Sequence, residues 1–212
     1  MSKPALLALS LALCAVACSK PQSQGVPLTG QVKAVVDRSK STTATYAMYS
    51  WNDIIRDGAP AQEWGAEFHS GDFHRVETQH DRLVADCVAN TGVARNVDTG
   101  QVYRGPQIAR AACGINTNKP FLEAQSLGAV QTPFGPADRV RLVDPDNVRT
   151  YDISPQGVIL ASTFEGKGSA KARAWSLKAR AVAVLDALPD PEMFDEASLE
   201  KSYVPDRFKV AP

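Results

Sequence analysis

The side chains best suited to chemistry in this 212-residue sequence are four cysteines and three histidines. Cys14 and Cys18 belong to an apolar N-terminal segment, whereas Cys87 and Cys113 lie in the body of the chain. A cysteine becomes a nucleophile beside a base, but Cys87 and Cys113 have neither a CxxC partner nor a histidine nearby in sequence. The sequence also lacks GxSxG and HExxH signatures and a glycine-rich phosphate loop. We therefore predict that the protein is not an enzyme.

The histidines, His69, His74 and His80, flank two predicted turns. Two imidazoles could meet across the first hairpin and, together with Asp72, could bind a metal ion. Their spacing matches no known ligand pattern, however, and histidines in turns are usually solvated. We therefore predict no metal site and no cofactor.

The charges of the chain balance, with 23 Lys and Arg against 23 Asp and Glu. A neutral chain lacks the broad basic field that binds a phosphate backbone, so nucleic acid is excluded as an expected partner. A mean hydropathy of -0.20 also argues against a polytopic membrane protein. The length suits one domain, or at most two small ones, with a substantial core.

The N-terminal segment MSKPALLALSLALCAVAC has one lysine, no acidic residue and an apolar run from Ala5 to Ala17. About 13 apolar residues are too few to span a hydrocarbon core of about 30 Å, but they fit the central region of a secretory signal. Small residues precede Cys18, and the polar stretch SKPQSQG follows it. The segment resembles the bacterial lipoprotein signal, in which such a cysteine is acylated and becomes the new N-terminus. Within that family, Ser19 after the cysteine implies transport to the outer membrane.

This resemblance sets the expected organisation of the chain. Residues 1–17 are the lipoprotein signal peptide, residues 18–30 a flexible tether, and residues 31–212 a β-rich periplasmic domain. Acyl chains on Cys18 would hold the domain at the outer membrane. Because the periplasm is oxidising, we expect the remaining pair, Cys87 and Cys113, to form a disulfide, which contributes about 3.5 kcal/mol in the chain-entropy model.

The elements that would position these residues are mostly strands. Between residues 43 and 104 the sequence alternates with period 2 and is broken by short turns, which predicts an antiparallel meander because a parallel crossover needs a much longer connection. Similar alternation returns in residues 139–164. The run 172–185 predicts a strand to about residue 178 and leaves strand or helix open beyond it.

Two short helices are expected beside the sheet. Pro106–Cys113 has proline at its start, an alanine-rich interior and Gly114 as a stop. The disulfide would fasten this helix across one face of the meander. Residues 195–203 predict a second, C-terminal helix with an acidic first turn.

The strand segments RVETQHDRLVADC and VRTYDISPQGVILASTF, separated by a helical interruption and followed by LPDPEMFD, resemble the LolA/LolB-like group of periplasmic lipoprotein carriers and sorting proteins. The resemblance implies an incomplete antiparallel barrel whose helices cover an apolar cavity for acyl chains. We therefore expect a mainly β (α+β) fold: an open, curved antiparallel sheet or incomplete barrel, with short helices on its concave face.

The candidate ligand-binding residues are the apolar side chains expected to point into the groove. They are Tyr49, Phe68, Val76, Leu83, Val140, Leu142, Ile159 and Trp175. A shift of one residue in strand register would invert these assignments. Two functions remain open: a membrane-anchored lipoprotein that binds an acyl chain or other apolar ligand in lipid or lipoprotein trafficking, or a structural or interaction lipoprotein whose core is filled and whose partner is an envelope protein.

Overall fold

The computed structural model describes residues 25–56, 58–167 and 175–211. Within these ranges, eleven strands form one open antiparallel sheet, and this confirms the predicted fold class. In chain order the strands are β1 (Tyr46–Arg56), β2 (Ala59–Ser70), β3 (Phe73–Thr78), β4 (Asp81–Asp86), β5 (Thr91–Asn96), β6 (Val102–Arg104), β7 (Glu123–Thr132), β8 (Gly135–Val143), β9 (Asn147–Ile153), β10 (Ile159–Gly166) and β11 (Ser176–Leu185).

The sheet consists of two meanders joined side by side. Strands β1 to β6 follow one another to one edge, and β7 to β11 follow one another from the opposite edge. The two halves meet where β1 pairs with β11, so the first and last strands lie at the centre. This pairing shifts between Tyr49 and Ser50, and such a bulge bends a strand and increases its twist.

Two strands differ from the sequence prediction. β11 remains a strand to Leu185, because its residues pair with both β1 and β10 and this pairing overrides the helical spacing of its apolar residues. β7 was not predicted. Its half-buried positions include Ala124, Ser126 and Gly128, whereas Leu127 is exposed, so the strand carries little hydrophobic alternation.

Helix α1 (Gly30–Lys40) was also not predicted. Its buried side chains Val32, Val35 and Val36 follow the spacing of one helix face and pack over β8 and β9. Just before the helix, the backbone N–H of Val26 donates to the carbonyl of Phe121 at 2.7 Å. Within residues 25–30, which the sequence analysis assigned to the tether, Val26 thus pairs with Phe121 and Leu28 packs against the core under α1.

Helix α2 (Pro106–Ala112) agrees with the predicted helix and packs across β4 and β5. The predicted disulfide is confirmed: Cys113, at the end of α2, is bonded to Cys87, in the turn after β4, with a Cα–Cα distance of 5.6 Å. Gly92 on β5 allows this close approach, because a Cβ atom there would collide with Ile108 of the helix. No helix in the described ranges has the length and apolar character needed to cross a bilayer.

The two helices lie on one face of the sheet, which we call the helix face. A C-terminal strap, residues 191–208, covers the other face over β1 to β4. It contains three short 3-10 helices, Pro191–Phe194, Glu196–Glu200 and Asp206–Phe208. The second of these lies where the sequence predicted an α-helix.

The strap is held by a buried ion pair on β3. Arg75 and Glu77 are both inaccessible to solvent, and Nε of Arg75 donates to Glu77 at 2.7 Å. Arg75 also donates to the carbonyls of Met193 and Lys201. Glu77 accepts from the Ser202 hydroxyl at 2.7 Å and from the Tyr203 backbone N–H at 3.0 Å. Each partner thus satisfies polar groups that the strap brings into the interior. Burial lowers the pKa of Arg75, while Glu77 raises it.

We predict that Glu77→Gln lowers the free energy of unfolding by about 3 to 5 kcal/mol, because it leaves a buried guanidinium without its counter-charge. Denaturant unfolding at neutral pH measures the change. The matched control is Asp53→Asn, which removes the carboxylate of the half-exposed pair with Arg180 and should cost less than about 1 kcal/mol. Equal losses in the two variants would contradict a special role for the buried pair.

Candidate functional site

A cavity of about 380 Å³ lies on the helix face between the two helices and the sheet. We call it the helix-side cavity. Its walls come from α1, α2 and the segment after it, the two flanking parts of the sheet, and the turn before β10. The lining residues are Ser39, Tyr46, Glu67, His74, Val76, Ala111, Ala112, Gly114, Asn116, Arg149, Tyr151, Gly157, Ile159, Ser162 and Phe164. This volume falls in the lower part of the range of small-molecule sites, about 300 to 1,000 Å³.

One wall of the cavity carries a buried histidine pair. His69 and His74 are direct cross-strand partners on β2 and β3, and their ring centroids are 5.6 Å apart. Nδ1 of His69 lies 2.7 Å from the Ala44 carbonyl, and this nitrogen must therefore carry the proton. Tyr46 stacks on His69. Burial, reinforced by the charge of Glu67, raises the pKa of Tyr46 well above its ordinary value, so its hydroxyl remains protonated.

His74 lines the cavity directly and is 4% exposed. Its Nε2 lies 3.6 Å from a carboxylate oxygen of Glu67, beyond hydrogen-bonding distance. Among the described residues this nitrogen has no hydrogen-bond partner. The wall therefore contains a buried polar atom whose bonding capacity is not used by the protein.

The opposite wall carries Arg149 of β9, which is 7% exposed. One terminal nitrogen lies 2.9 Å from the buried carboxylate of Asp144, and the other donates to the Asn116 carbonyl at 3.2 Å. Its Nε has no partner in the described part of the chain. The guanidinium also lies over the ring of Phe121, at 5.2 Å from its centroid. Burial raises the pKa of the neighbouring Tyr151, and Arg149 opposes this rise.

Apolar side chains form the rest of the lining. Val76 lies beside the histidine pair, Ala112 closes the cavity from α2, and Ile159 and Phe164 come from β10. Phe164 meets Tyr151 edge to face at 5.6 Å between centroids. The cavity thus combines an apolar interior with polar groups at two separated positions, a composition suited to binding an amphipathic molecule.

The arrangement offers no evident covalent chemistry. The two cysteines in the described ranges are joined as a disulfide, and Ser39 on the cavity wall donates its hydroxyl to the Val36 carbonyl rather than to a base. Across the described residues, no group of three His, Cys, Asp or Glu side chains could hold a metal ion. His80 lies apart from the other two histidines, beside Asp98 at 2.7 Å.

The structure separates the eight candidate ligand-binding residues into three sets. Val76 and Ile159 line the helix-side cavity. Val140 and Leu142 lie on the same face but are covered by α1, and Leu83 packs against α2. These three residues support the cavity walls without reaching the open space.

The other three candidates lie outside the cavity. Tyr49 and Phe68 face the opposite side of the sheet, where they pack edge to face beneath the strap. The residues next to them in each strand point to the helix face instead, because successive side chains of a strand point to opposite faces; of these, Glu67 lines the cavity. Trp175 stacks on the cavity residue Phe164 at 6.4 Å but is itself 40% exposed. The predicted lipid-attachment residue Cys18, the signal peptide and most of the tether lie outside the described residues.

Sequence reasoning missed Tyr46, His74 and Arg149 as cavity residues. For Arg149 a signal was present, since Arg149 alternates with Tyr151 and Ile153 on the buried side of β9. A charged residue at an inward position of a strand indicates a paired or functional group. For α1, the spacing of Val32, Val35 and Val36 was the signal.

Neither a family model nor a curated protein matches the sequence. Solved structures similar to the chain include an uncharacterized conserved protein from Thermus thermophilus, with 14% identity and a TM-score of 0.48 over 86% of this chain and 99% of that one. They also include a LolA superfamily protein from Nitrosomonas europaea, with 8% identity and a TM-score of 0.41 over 81% and 100%. A third is a putative outer membrane lipoprotein-sorting protein domain from Vibrio parahaemolyticus, with 7% identity and a TM-score of 0.40 over 80% and 97%. The neighbours thus include the LolA superfamily, and at these identities the likeness concerns the fold alone.

The histidine pair predicts a pH dependence of stability. Burial, together with the nearby His74, holds the pKa of His69 below its ordinary value of 6.5, although the bond to Ala44 acts in the opposite direction. Below pH 6.5 the unfolded chain therefore binds a proton at His69 that the folded chain still excludes, and the free energy of unfolding falls as the pH is lowered. We expect His69→Gln to reduce this slope, which for one proton is at most about 1.4 kcal/mol per pH unit.

Denaturant unfolding between pH 7.5 and 5 measures the slope. His80→Gln is the control, because it removes a histidine whose side chain is 40% exposed. An unchanged slope in His69→Gln, or an equal reduction in His80→Gln, would contradict the assignment.

Proposed function

We propose that this protein is a non-enzymatic envelope lipoprotein that binds an acyl-chain ligand in the helix-side cavity, in lipid or lipoprotein trafficking. The observation that carries the proposal is the cavity itself, about 380 Å³ between α1, α2 and the sheet. The strap packs Met193 and Val204 against Tyr49 and Phe68 on the other face of the sheet. On the helix face, α1 and α2 leave a space between them. An empty cavity lowers the stability of a protein, so its presence supports a role in binding.

Binding would be driven by burial of the hydrocarbon chain. Val76, Ala112, Ile159 and Phe164 supply apolar contacts along the cavity. Removing about 200 Å² of apolar surface from water would contribute about 5 kcal/mol. Part of this is offset by the loss of ligand freedom, so a dissociation constant of about 1 mM is expected for a single chain.

The cavity favours ligand binding over the alternative of a purely structural module. A structural module needs a filled core, and its buried polar atoms would find partners within the protein. Here His74 and Arg149 each retain a buried nitrogen without a partner in the described ranges, and both residues line the same cavity. A ligand or bound water would satisfy these atoms.

We also propose that acyl chains on Cys18 attach the protein to the outer membrane, with residues 1–17 removed as the signal peptide. The Cys87–Cys113 disulfide supports export, because such bonds persist in the oxidising periplasm. The tether would then be the short stretch between Cys18 and Val26, the residue that pairs with Phe121. This length would keep the cavity near the membrane surface.

We predict that Ser162→Trp abolishes binding of a fluorescent acyl-chain probe, or weakens it at least tenfold, because an indole at this position of β10 would occupy the cavity. Fluorescence titration measures the dissociation constant. The matched control is Thr163→Trp, one residue along the same strand, whose side chain points to the other face of the sheet. The control should bind the probe like the unmodified protein.

Circular dichroism and thermal unfolding must show that both variants are folded, since an overpacked site costs about 1 to 3 kcal/mol. Equal binding by the two tryptophan variants would place the ligand elsewhere. Failure of the unmodified protein to bind any acyl-chain probe would favour the structural alternative.

For the anchor, we expect radiolabelled palmitate to be incorporated into the unmodified protein and not into Cys18→Ser. The serine variant should also keep the larger size of the unprocessed precursor, because removal of the lipoprotein signal peptide requires the cysteine. Cys14→Ser is the control and should still be labelled. Labelling of Cys18→Ser at the unmodified level would refute the proposed attachment site.

A further inference from the structure

The helix-side cavity presents two nitrogen atoms whose hydrogen-bonding capacity the protein does not use. They are Nε of Arg149 and Nε2 of His74, neither of which has a partner within the described residues. Both side chains are more than nine-tenths buried and both line the cavity. A buried donor without a partner costs about 1 to 3 kcal/mol, so an acceptor atom on the ligand would be stabilised here.

Arg149 can act only as a donor, because guanidinium has no acceptor atom and stays charged. Its positive charge is already balanced by Asp144, at 2.9 Å, and the Asp144 carboxylate is fixed in turn by the backbone N–H groups of Asp146 and Asn147. The free Nε–H therefore offers a directed hydrogen bond with little uncompensated charge.

His74 sits on the other wall beside Glu67, whose carboxylate oxygen is 3.6 Å from Nε2. The titratable side chains facing the cavity are Tyr46, Glu67, His74, Arg149 and Tyr151. Together with Asp144 behind Arg149, they comprise two carboxylates and one permanent cation. A free carboxylate entering the cavity would add a third negative charge at low dielectric. An ammonium group has no acceptor atom and would leave the Nε–H of Arg149 without a partner.

We propose that the polar part of the ligand is an uncharged carbonyl oxygen, as in an ester or amide of a fatty acid, which accepts a hydrogen bond from Nε of Arg149 or from His74 in its Nε2–H tautomer. This inference rests on the proposed function and specifies its ligand class. Arg149 and His74 are then specificity-determining residues, while the apolar lining supplies most of the affinity.

Three probes with the same eight-carbon chain test the inference: 1-octanoylglycerol, octanoate and octylammonium. The full chain is purified in a fluorinated surfactant, which mixes poorly with hydrocarbon chains, and each dissociation constant is measured by isothermal titration calorimetry at pH 7.5. We expect the ester to bind at least tenfold more tightly than either charged probe. Binding of octanoate as tight as that of the ester would refute the uncharged head group and leave the proposed function intact. If none of the three binds, both proposals are wrong.

The residues are tested with Arg149→Lys, which keeps the positive charge facing Asp144 but removes the Nε donor. We expect it to reduce the preference for the ester over octanoate at least threefold. Arg139→Lys is the matched control, because Arg139 pairs with Asp152 on the outer face of β8 and should leave the preference unchanged. His74→Leu removes the second nitrogen and should also reduce the preference for the ester over octanoate. An unchanged preference in both Arg149→Lys and His74→Leu would refute the assignment.

Discussion

The buried pair of Arg75 and Glu77 is the constraint on which the arrangement of the two faces depends. Two charges without solvent contact are stable only when each is paired and hydrogen-bonded, and here the missing partners come from the C-terminal strap. The strap can therefore lie only where its carbonyls and N–H groups meet the pair. Once it is fixed there, it covers one face of β1 to β4, and the helix-side cavity lies on the opposite face.

The helix face is covered in a different way, and this difference creates the cavity. α1 packs over β8 and β9, while α2 packs over β4 and β5 and is fixed by the disulfide. Each helix is short and covers only one lateral part of the helix face. The strands between the two helices are therefore left uncovered, and a gap remains there. Arg149 and His74 bound this gap from opposite walls. The candidate site thus results from the placement of the two helices on the sheet rather than from a sequence motif.

Much of the fold was accessible from the sequence, because strands and tight turns leave a local pattern. The first meander, α2 and the Cys87–Cys113 pairing were all predicted. β7 was missed because its inward positions are small, and α1 because three valines were not recognised as a helix face. The candidate site was predicted only in part: Val76 and Ile159 line the cavity, whereas Tyr49 and Phe68 lie beneath the strap.

The sequence by itself determined the strand periodicity, the positions of most turns, the even cysteine pair and the resemblance of the N-terminus to a lipoprotein signal. These properties depend on neighbours along the chain. Only the tertiary structure decided that β1 pairs with β11 and which face of the sheet the strap covers. It also decided that Arg149 and His74 line the same cavity. Alternation separates two faces but does not identify which is covered, because that choice depends on contacts between residues more than 100 positions apart, such as Arg75 with Ser198.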